Sequence, residues 1–260
     1  MPPLEPNAMQ VLPRFIPCLL VDNGKLVKTV RFRAPKYIGD PMNAVRIFNE
    51  KGADELIVLD IGAGRTGRAP DLSLIRQIAA QCFMPFAYGG GITTLEQIRA
   101  ILGGGAEKVV LNSAAYTTPE LLTEAAAEFG SQSIVAALDV KRSWFGRQRV
   151  VRGPRQRTTG QNPVDYARAL VARGAGEIFI NDVDRDGTRL GYDLALIQAV
   201  SAAVAVPVIA CGGAGQVQDL NRAIAAGAAA AAAGSLFVLY GKHRAVLITY
   251  PGRDILVKTG

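Results

Sequence analysis

The sequence contains one histidine, His243, and three cysteines among its 260 residues. A single histidine leaves a zinc site or a Ser-His-Asp triad with almost nothing to draw on, which argues against most metal and acyl-transfer chemistry. Cys18, Cys82 and Cys211 lie among apolar residues without C-x-x-C spacing, a pattern typical of buried free thiols. We therefore expect neither a metal nor a cofactor.

Long apolar runs and a secretory leader are also missing. The longest apolar stretch, residues 228–233, is rich in alanine, is bounded by Gly227 and Gly234, and is too short to span a bilayer. Residues 1–13 lack a basic segment followed by an apolar core, and we expect them to form a loose N-terminal arm. The sequence thus predicts a single cytoplasmic domain over residues 1–260 with no membrane partner.

The chain has more basic than acidic residues and a formal net charge of +7. Such an excess fits a phosphorylated ligand or an acidic partner. The basic residues are spread along the chain and no aromatic-basic recognition motif is present, so nucleic acid is not an expected partner.

The second half of the chain repeats the first. Between residues 55 and 113, each matching position lies 122 residues before its counterpart: Glu55 and Glu177, Asp71 and Asp193, Pro85 and Pro207, Ser113 and Ser235. A constant offset over a segment this long indicates two half-domains rather than a short solenoid repeat.

Short apolar runs alternate with segments of helical period. The predicted strands are Phe15–Val21, Leu56–Asp60, Met84–Tyr88, Lys108–Leu111, Ile134–Asp139, Ile178–Asn181, Val206–Ala210 and Ala229–Ala233. The predicted helices are Met42–Lys51, Leu72–Gln81, Leu95–Leu102, Pro119–Phe129, Pro163–Arg173, Leu194–Ala203, Val217–Ala226 and one near Lys242–Ile248. Asp40, Thr118 and Asn162 each precede a proline and are expected to cap helices. Eight βα units with a twofold repeat favour a closed (β/α)₈ TIM barrel; an open doubly wound sheet is the alternative, but it leaves the repeat unexplained.

Two long connections interrupt this alternation. Residues 22–40 follow the first strand and include the basic residue Lys28, and residues 142–161 follow the fifth and indicate a basic hairpin around Phe145. Both follow strand C-termini, where barrel enzymes build their active sites, and loops of this length are usually functional.

Four glycine or small polar turns follow apolar strands and are expected to bind phosphate. They are formed by Gly89, Gly90 and Gly91, by Asn112 and Ser113, by Gly212 and Gly213, and by Gly234 and Ser235. Glycine lets the backbone approach an anion, and N–H groups that open a helix supply partial positive charge. Tight βα loops need glycine in any case, so turn geometry alone is the alternative. The pairing of the turns predicts a ligand with a phosphate at each end.

Carboxylates also occur at predicted strand ends. Asp139 ends the fifth strand and is a candidate general acid or base; the alternative is a helix cap or an ion pair with Lys141. After the sixth strand, Asp186 is expected to accept a hydrogen bond from a ligand hydroxyl, and Gly187 and Thr188 to donate to phosphate. The D-x-D-G fragment here lacks the remaining ligands of a calcium loop.

Four charged residues stand at the opposite, N-terminal ends of strands: Arg14, Glu55, Lys108 and Glu177. A barrel floor of alternating charges is usually a structural salt-bridge layer. From the residues alone, that interpretation is the favoured one.

The chain resembles the cyclase subunit of imidazole glycerol phosphate synthase nearly end to end. The matching segments are Arg14-Phe-Ile-Pro-Cys-Leu, Gly52-Ala-Asp-Glu-Leu, Tyr88-Gly-Gly-Gly-Ile, Asn112-Ser-Ala-Ala, Phe129-Gly-Ser-Gln, Asp184-Arg-Asp-Gly-Thr and Val208-Ile-Ala-Cys-Gly-Gly-Ala-Gly. The resemblance implies a (β/α)₈ barrel that takes ammonia from a glutaminase partner on its floor and closes an imidazole ring on a bisphosphorylated ribulosyl substrate. It also implies that Arg14, Glu55, Lys108 and Glu177 gate the ammonia, and that Asp139 and Lys28 are catalytic.

One position departs from that family. The resemblance implies two aspartates as an acid–base pair, and Leu20 stands where the first belongs. The segments around Leu19–Phe32 and Gly241–Pro251 are similar to a paralogous branch found in surface-polysaccharide gene sets. With a glutaminase and a synthetase-like amidotransferase, that branch helps convert an acetamido sugar into an acetamidino one.

Three functions follow from these observations. The first is an ammonia-channelling subunit of the acetamidino-sugar branch, forming a heterodimer with a glutaminase. The second is a cyclase of histidine biosynthesis in which Leu20 is tolerated or compensated by Asp22. The third is a barrel without catalysis of its own that activates a glutaminase.

Overall fold

Eight parallel strands close into a barrel within residues 12–153 and 155–252, the part of the chain that the computed structural model describes. In order they are β1 (Arg14–Asp22), β2 (Leu56–Asp60), β3 (Phe86–Gly89), β4 (Lys108–Leu111), β5 (Ile134–Arg142), β6 (Glu177–Asp182), β7 (Val208–Cys211) and β8 (Ala230–Ala233). Each strand pairs in parallel with the next, and β8 pairs with β1. The predicted TIM barrel is confirmed, and an open sheet is excluded. The proposed arm at residues 1–13 lies almost wholly outside the described residues.

Seven helices of eight residues or more surround the barrel in this part of the chain. They are α1 (Pro41–Glu50), α2 (Leu72–Ala79), α3 (Leu95–Gly103), α4 (Glu120–Phe129), α5 (Pro163–Ala172), α6 (Leu194–Ser201) and α7 (Val217–Ala225). Asp40 and Asn162 cap α1 and α5 as predicted, each accepting a hydrogen bond from a backbone N–H. The predicted cap at Thr118 is wrong: its N–H donates to the carbonyl of Ala114, so Thr118 ends the short helix Ser113–Thr117 instead.

The repeat is visible in matched local geometry. The Asp71 carboxylate accepts from the N–H of Leu74 at 3.0 Å, and 122 residues later Asp193 accepts from Leu196 at 3.1 Å. These caps begin α2 and α6, which occupy equivalent places in the two halves. The half-domains therefore share backbone geometry as well as sequence.

Two hydrophobic clusters form the core. The larger fills the layer between barrel and helices, and the smaller fills the barrel interior. The interior cluster is built mainly from small or β-branched side chains, including Ile16, Cys18, Ala87, Ala137 and Ala232. Strand side chains alternate in direction, so successive residues of a barrel strand contribute in turn to the interior cluster and to the cluster under the helices.

Antiparallel hairpins extend the barrel after β1, after β5 and near the C-terminal end of the described chain. The first hairpin (Lys25–Val30 with Arg33–Gly39) and the second hairpin (β5 with Gln148–Arg152) follow strand C-termini, where the long connections were predicted. The C-terminal hairpin pairs Leu239–Tyr240 with Ala245–Val246.

The C-terminal hairpin corrects the prediction of a last helix near Lys242–Ile248. The N–H of Leu247 donates to Val238 and that of Thr249 to Phe237, which turns the chain back along itself. Gly241 and Arg244 adopt φ values of 70° and 52° in the turn, which no helix accommodates. Within the described residues, no helix is both long and apolar enough to cross a membrane.

Candidate active site at the barrel mouth and the charged ring at its floor

Asp139 lies near the C-terminal end of β5, at the mouth of the barrel. Its Oδ2 accepts a hydrogen bond of 2.8 Å from Nδ2 of Asn112, at the end of β4. Burial raises the pKa of Asp139 to about 7; the Asn112 bond lowers it and the charge of Asp186 raises it further. A carboxyl group with a pKa close to neutral can both take and give a proton at physiological pH.

The raised pKa makes stability depend on pH. Between the ordinary pKa of 3.8 and about 7, the folded state holds a proton on Asp139 that the unfolded state releases, so stability falls as pH rises through this range. Asp139→Asn removes this effect. We subtract the free energy of unfolding of the unmodified chain from that of the variant, each measured by urea unfolding. This difference is expected to become more positive by roughly 2–4 kcal/mol from pH 4.5 to pH 8.

Asp165→Asn is the matched control, because it makes the same chemical change at a side chain that is 75% exposed on α5, far from the burial that acts on Asp139. Equal pH profiles for the two variants would show that the Asp139 carboxyl is ionised in the folded protein at neutral pH.

Lys28 projects from the first hairpin and forms a buried ion pair at the mouth. Its Nζ lies 3.0 Å from Oδ1 of Asp186, and Thr29 Oγ1 donates to Oδ2 at 3.1 Å. Both Asp186 oxygens are thus engaged within the protein, and each carboxylate oxygen has a further lone pair with which it can accept from a ligand hydroxyl. The Thr188 hydroxyl donates to the carbonyl of Arg185, while Gly187 packs against the carbonyl of Thr29.

Leu20 occupies the position on β1 that corresponds to Asp139 on β5. It pairs with Leu59 of β2, whereas Asp139 pairs with Asn181 of β6, and Leu59 and Asn181 are themselves 122 residues apart. At these matched positions one half presents Asp139 and Asn181 and the other presents two leucines. A leucine cannot transfer a proton, so the two matched positions offer one carboxyl where the resemblance implies two.

The four predicted phosphate turns lie at the mouth in two equivalent pairs. Gly90 and Gly212 are packed so closely that a Cβ would lie 2.2 Å from the carbonyl of Asp60 and 2.6 Å from that of Asp182. Glycine is thus required there by packing alone, as the alternative interpretation held. Binding is better supported at the two other turns, where short helices begin at Ser113 and Ser235 with matching backbone angles before them.

We expect the purified chain to bind two phosphate or sulfate ions, one near Gly90 and Ser113 and one near Gly213 and Ser235. N–H groups at the start of a helix attract anions, and the turns are equivalent by repeat. Crystals grown in phosphate provide the measurement. A single occupied turn, or ions only elsewhere, would contradict the two-phosphate interpretation.

Asn181 was missed by the sequence prediction. Its Oδ1 is buried and has no hydrogen-bond partner among the described residues, and it faces the turn at Gly212, where a Cβ would lie 2.9 Å away. The sequence does place Asn181 at the end of a predicted strand, where site residues are expected, and in the structure it pairs in register with Asp139. An unsatisfied acceptor here is available to a ligand donor.

At the floor, the four predicted charges join into a closed ring. Arg14 contacts Glu55 through Nη1 and lies 2.9 Å from Glu177 through Nη2, while Lys108 Nζ lies 3.0 Å from Glu55 and 3.1 Å from Glu177. Burial acts to lower the pKa of Arg14, but the two carboxylates raise it overall. The interior cluster lies between this ring and the mouth, and its side chains offer mainly apolar surface.

Comparison with known proteins identifies the family. The histidine biosynthesis protein family matches residues 14–244. A Pseudomonas aeruginosa protein named "Putative imidazole glycerol phosphate synthase subunit hisF2" is 50% identical, covering 92% of this chain and 95% of its own. A Leptospira interrogans protein named "Putative imidazole glycerol phosphate synthase subunit HisF" is 48% identical over 93% and 96% of the two chains. The "Imidazole glycerol phosphate synthase subunit HisF" of Alkaliphilus metalliredigens is 47% identical over 86% and 89%. This chain therefore belongs to the histidine biosynthesis protein family, among the cyclase subunits of imidazole glycerol phosphate synthase and their relatives.

Proposed function

We propose that this chain is the barrel subunit of a glutamine-dependent synthase, and that it delivers ammonia for acetamidino-sugar formation rather than for imidazole ring closure. The observation that carries the proposal is at the mouth: Leu20 on β1 stands at the position matched to Asp139 on β5, where a second acid–base carboxylate would be needed. The floor ring, in contrast, is complete. A chain that retains the ammonia entrance and lacks one acid–base group suits delivery better than cyclisation.

The proposed partner at the floor is a glutaminase, with which the chain would form a heterodimer. Arg14 and Lys108 keep 26% and 17% of their side-chain surface exposed, so the ring can be reached from outside. Ammonia entry requires the ring to open, and Lys108 is the better candidate because its two contacts share one ammonium group on a flexible stem, whereas Arg14 uses a separate nitrogen of a rigid guanidinium for each glutamate.

At the mouth, ammonia would be used on an acetamido group. Forming an amidine from an amide replaces the carbonyl oxygen by nitrogen, and that oxygen is a poor leaving group. A synthetase-like amidotransferase is proposed to transfer a nucleotidyl group from ATP to that oxygen with release of pyrophosphate, so that the oxygen leaves as part of AMP when ammonia adds. Asp139, with its pKa raised to about 7, is suited to accept the proton that the attacking ammonia loses.

Orthodox cyclisation in histidine biosynthesis is the second candidate. The names of the three relatives favour it, since each refers to an imidazole glycerol phosphate synthase subunit. Asp22, near the end of β1, is the carboxylate nearest in sequence to Leu20, but it pairs with Arg65 at 2.8 Å. That ion pair would have to break before Asp22 acted as a proton donor.

Growth complementation separates the two candidates. A histidine auxotroph that lacks its cyclase subunit is transformed with this chain, and with Leu20→Asp and Leu20→Asn as a matched pair. We expect no growth without histidine for the unmodified chain or for Leu20→Asn. Growth at the rate given by a cyclase with both aspartates would overturn the proposed function and favour the second candidate.

A further inference from the structure

A cleft of about 290 Å³ opens between the first hairpin and the C-terminal hairpin, beside the turn at Gly234 and Ser235. Its lining includes Lys28, Arg33, Lys36 and Arg244, and no carboxylate is among the described lining residues. An entirely cationic set of charges around one cavity indicates an anionic ligand.

Ser235 gives the cleft a buried polar contact. The residue is 5% exposed, and its Oγ has no hydrogen-bond partner among residues 12–153 and 155–252. A buried hydroxyl normally finds a partner, and leaving one unsatisfied costs free energy. The hydroxyl is therefore available for a ligand in the cleft.

Three of the four cations are uncompensated. Lys28 is paired with Asp186, but no hydrogen bond or ion pair within the described chain engages the side chains of Arg33, Lys36 or Arg244. Lys28 and Lys36 also stand directly opposite each other on the first hairpin. Like charges placed opposite each other destabilise a strand pair, and an anion between them would remove that cost.

The cleft walls are held in place without a ligand. The first hairpin is tied down where the N–H of Arg31 donates to the carbonyl of Asp186 at 2.9 Å. The C-terminal hairpin is tied where Arg189 Nη1 donates to the carbonyl of Gly241 at 3.3 Å. The cationic side chains thus project from backbone that is already positioned, which lowers the entropy lost on binding.

We propose that this cleft binds an organic diphosphate; the inference rests on the proposed function, whose sugar acceptor would carry that diphosphate. A phosphate monoester carries about −1.5 to −2 charges near neutral pH. One monoester at Ser235 would leave at least one of the three positive charges uncompensated, and a second phosphate supplies the missing charge. The inner phosphate lies against Ser235 and the outer one between Arg33, Lys36 and Arg244.

The organic part of the ligand lies along the remaining wall. Tyr37 is 62% exposed on one side of the cleft, and Leu239 and Val246 line the other. An exposed aromatic ring beside a phosphate site suits a flat, ring-bearing ligand. The chemical class is thus a diphosphate ester with a ring system, as in a nucleoside diphosphate.

The test is isothermal titration calorimetry of the full chain with two matched pairs, ADP with AMP and UDP with UMP, at constant ionic strength. The diphosphate of each pair is expected to bind about tenfold more tightly than its monophosphate, because it adds charge-assisted hydrogen bonds. Arg244→Gln and Lys36→Gln are expected to bring that ratio close to one while changing monophosphate affinity less than about twofold. Arg147→Gln is the control, since Arg147 is an exposed arginine on the second hairpin, outside this cleft.

Equal affinity for the mono- and diphosphates in the unmodified chain would overturn the inference. An equal loss of the ratio in Arg147→Gln would also do so, because it would show a response to net charge alone. The histidine-auxotroph experiment reports separately. Growth of the auxotroph together with a tenfold affinity ratio would contradict the proposed function and support the diphosphate site. No growth together with a ratio of one would contradict the diphosphate site and leave the proposed function standing.

Discussion

Given ammonium salt and the ribulosyl bisphosphate substrate of the cyclase family, the isolated chain is expected to form imidazole product about 100- to 10,000-fold more slowly than a cyclase with both aspartates. That range is what a general acid or base contributes to a rate. With Leu20 at the first of the two matched positions, Asp139 is left as the one carboxyl of the pair that can transfer a proton. The measurement is chromatographic detection of product at saturating ammonium, which takes the glutaminase out of the assay.

Leu20→Asp and Leu20→Asn test the cause. The two variants have the same shape, but only the aspartate can transfer a proton. We expect Leu20→Asp to recover activity to the extent that the phosphate turns hold the substrate in register, since a misplacement of about 1 Å can cost ~100-fold. Rapid turnover by the unmodified chain would show that Asp139, or Asp22 after release from Arg65, is sufficient.

Lys108→Met is expected to uncouple glutamine hydrolysis from ammonia use in the complex with a glutaminase. Lys108 is the one cation besides Arg14 in the ring, and its loss leaves Glu55 and Glu177 sharing a single guanidinium. Glu55 is 2% exposed, so unfolding should also become easier by about 1–3 kcal/mol. The measurement is the ratio of ammonia incorporated at the mouth to glutamate released.

Lys51→Met is the matched control, because Lys51 is an exposed lysine that follows α1, outside the ring. A coupling ratio that stays the same in Lys108→Met, together with lower stability, would return the ring to the structural role expected for barrel floors. A lower ratio in both variants would point to a general effect on the complex.

The barrel was predictable because its signals are local and repeated. Each strand is a short apolar run, and the 122-residue offset required two equivalent halves, so Asp71 and Asp193 begin α2 and α6 in the same way. The floor ring was predictable as a set of positions at strand starts. The four ion-pair contacts that close the ring could not be predicted, because the distances between these side chains depend on the diameter of the barrel and the stagger of its strands.

Other features depend on tertiary contacts that the sequence does not display. The one turn signal near residues 242–248 is the preceding Gly241. The hairpin there is fixed by backbone hydrogen bonds to Phe237 and Val238. The pairing of Lys28 with Asp186 joins residues 158 positions apart. Asn181 is a polar residue within an apolar strand, and only the folded arrangement shows that its Oδ1 is unpaired.

The apolar interior has a consequence for the protonation state of whatever crosses it. Aliphatic and small side chains cannot solvate a cation, so the ammonia passage that we propose through the barrel would favour neutral ammonia over ammonium. The Cys211 thiol inside would not accept the proton, because the hydrogen bond with Cys18, together with burial, raises the pKa of Cys211 well above its ordinary value. On this proposal, any proton that ammonium loses would be left at the floor. The barrel would then act as a proton filter as well as a conduit, supplying the mouth with a nucleophile that is ready to react.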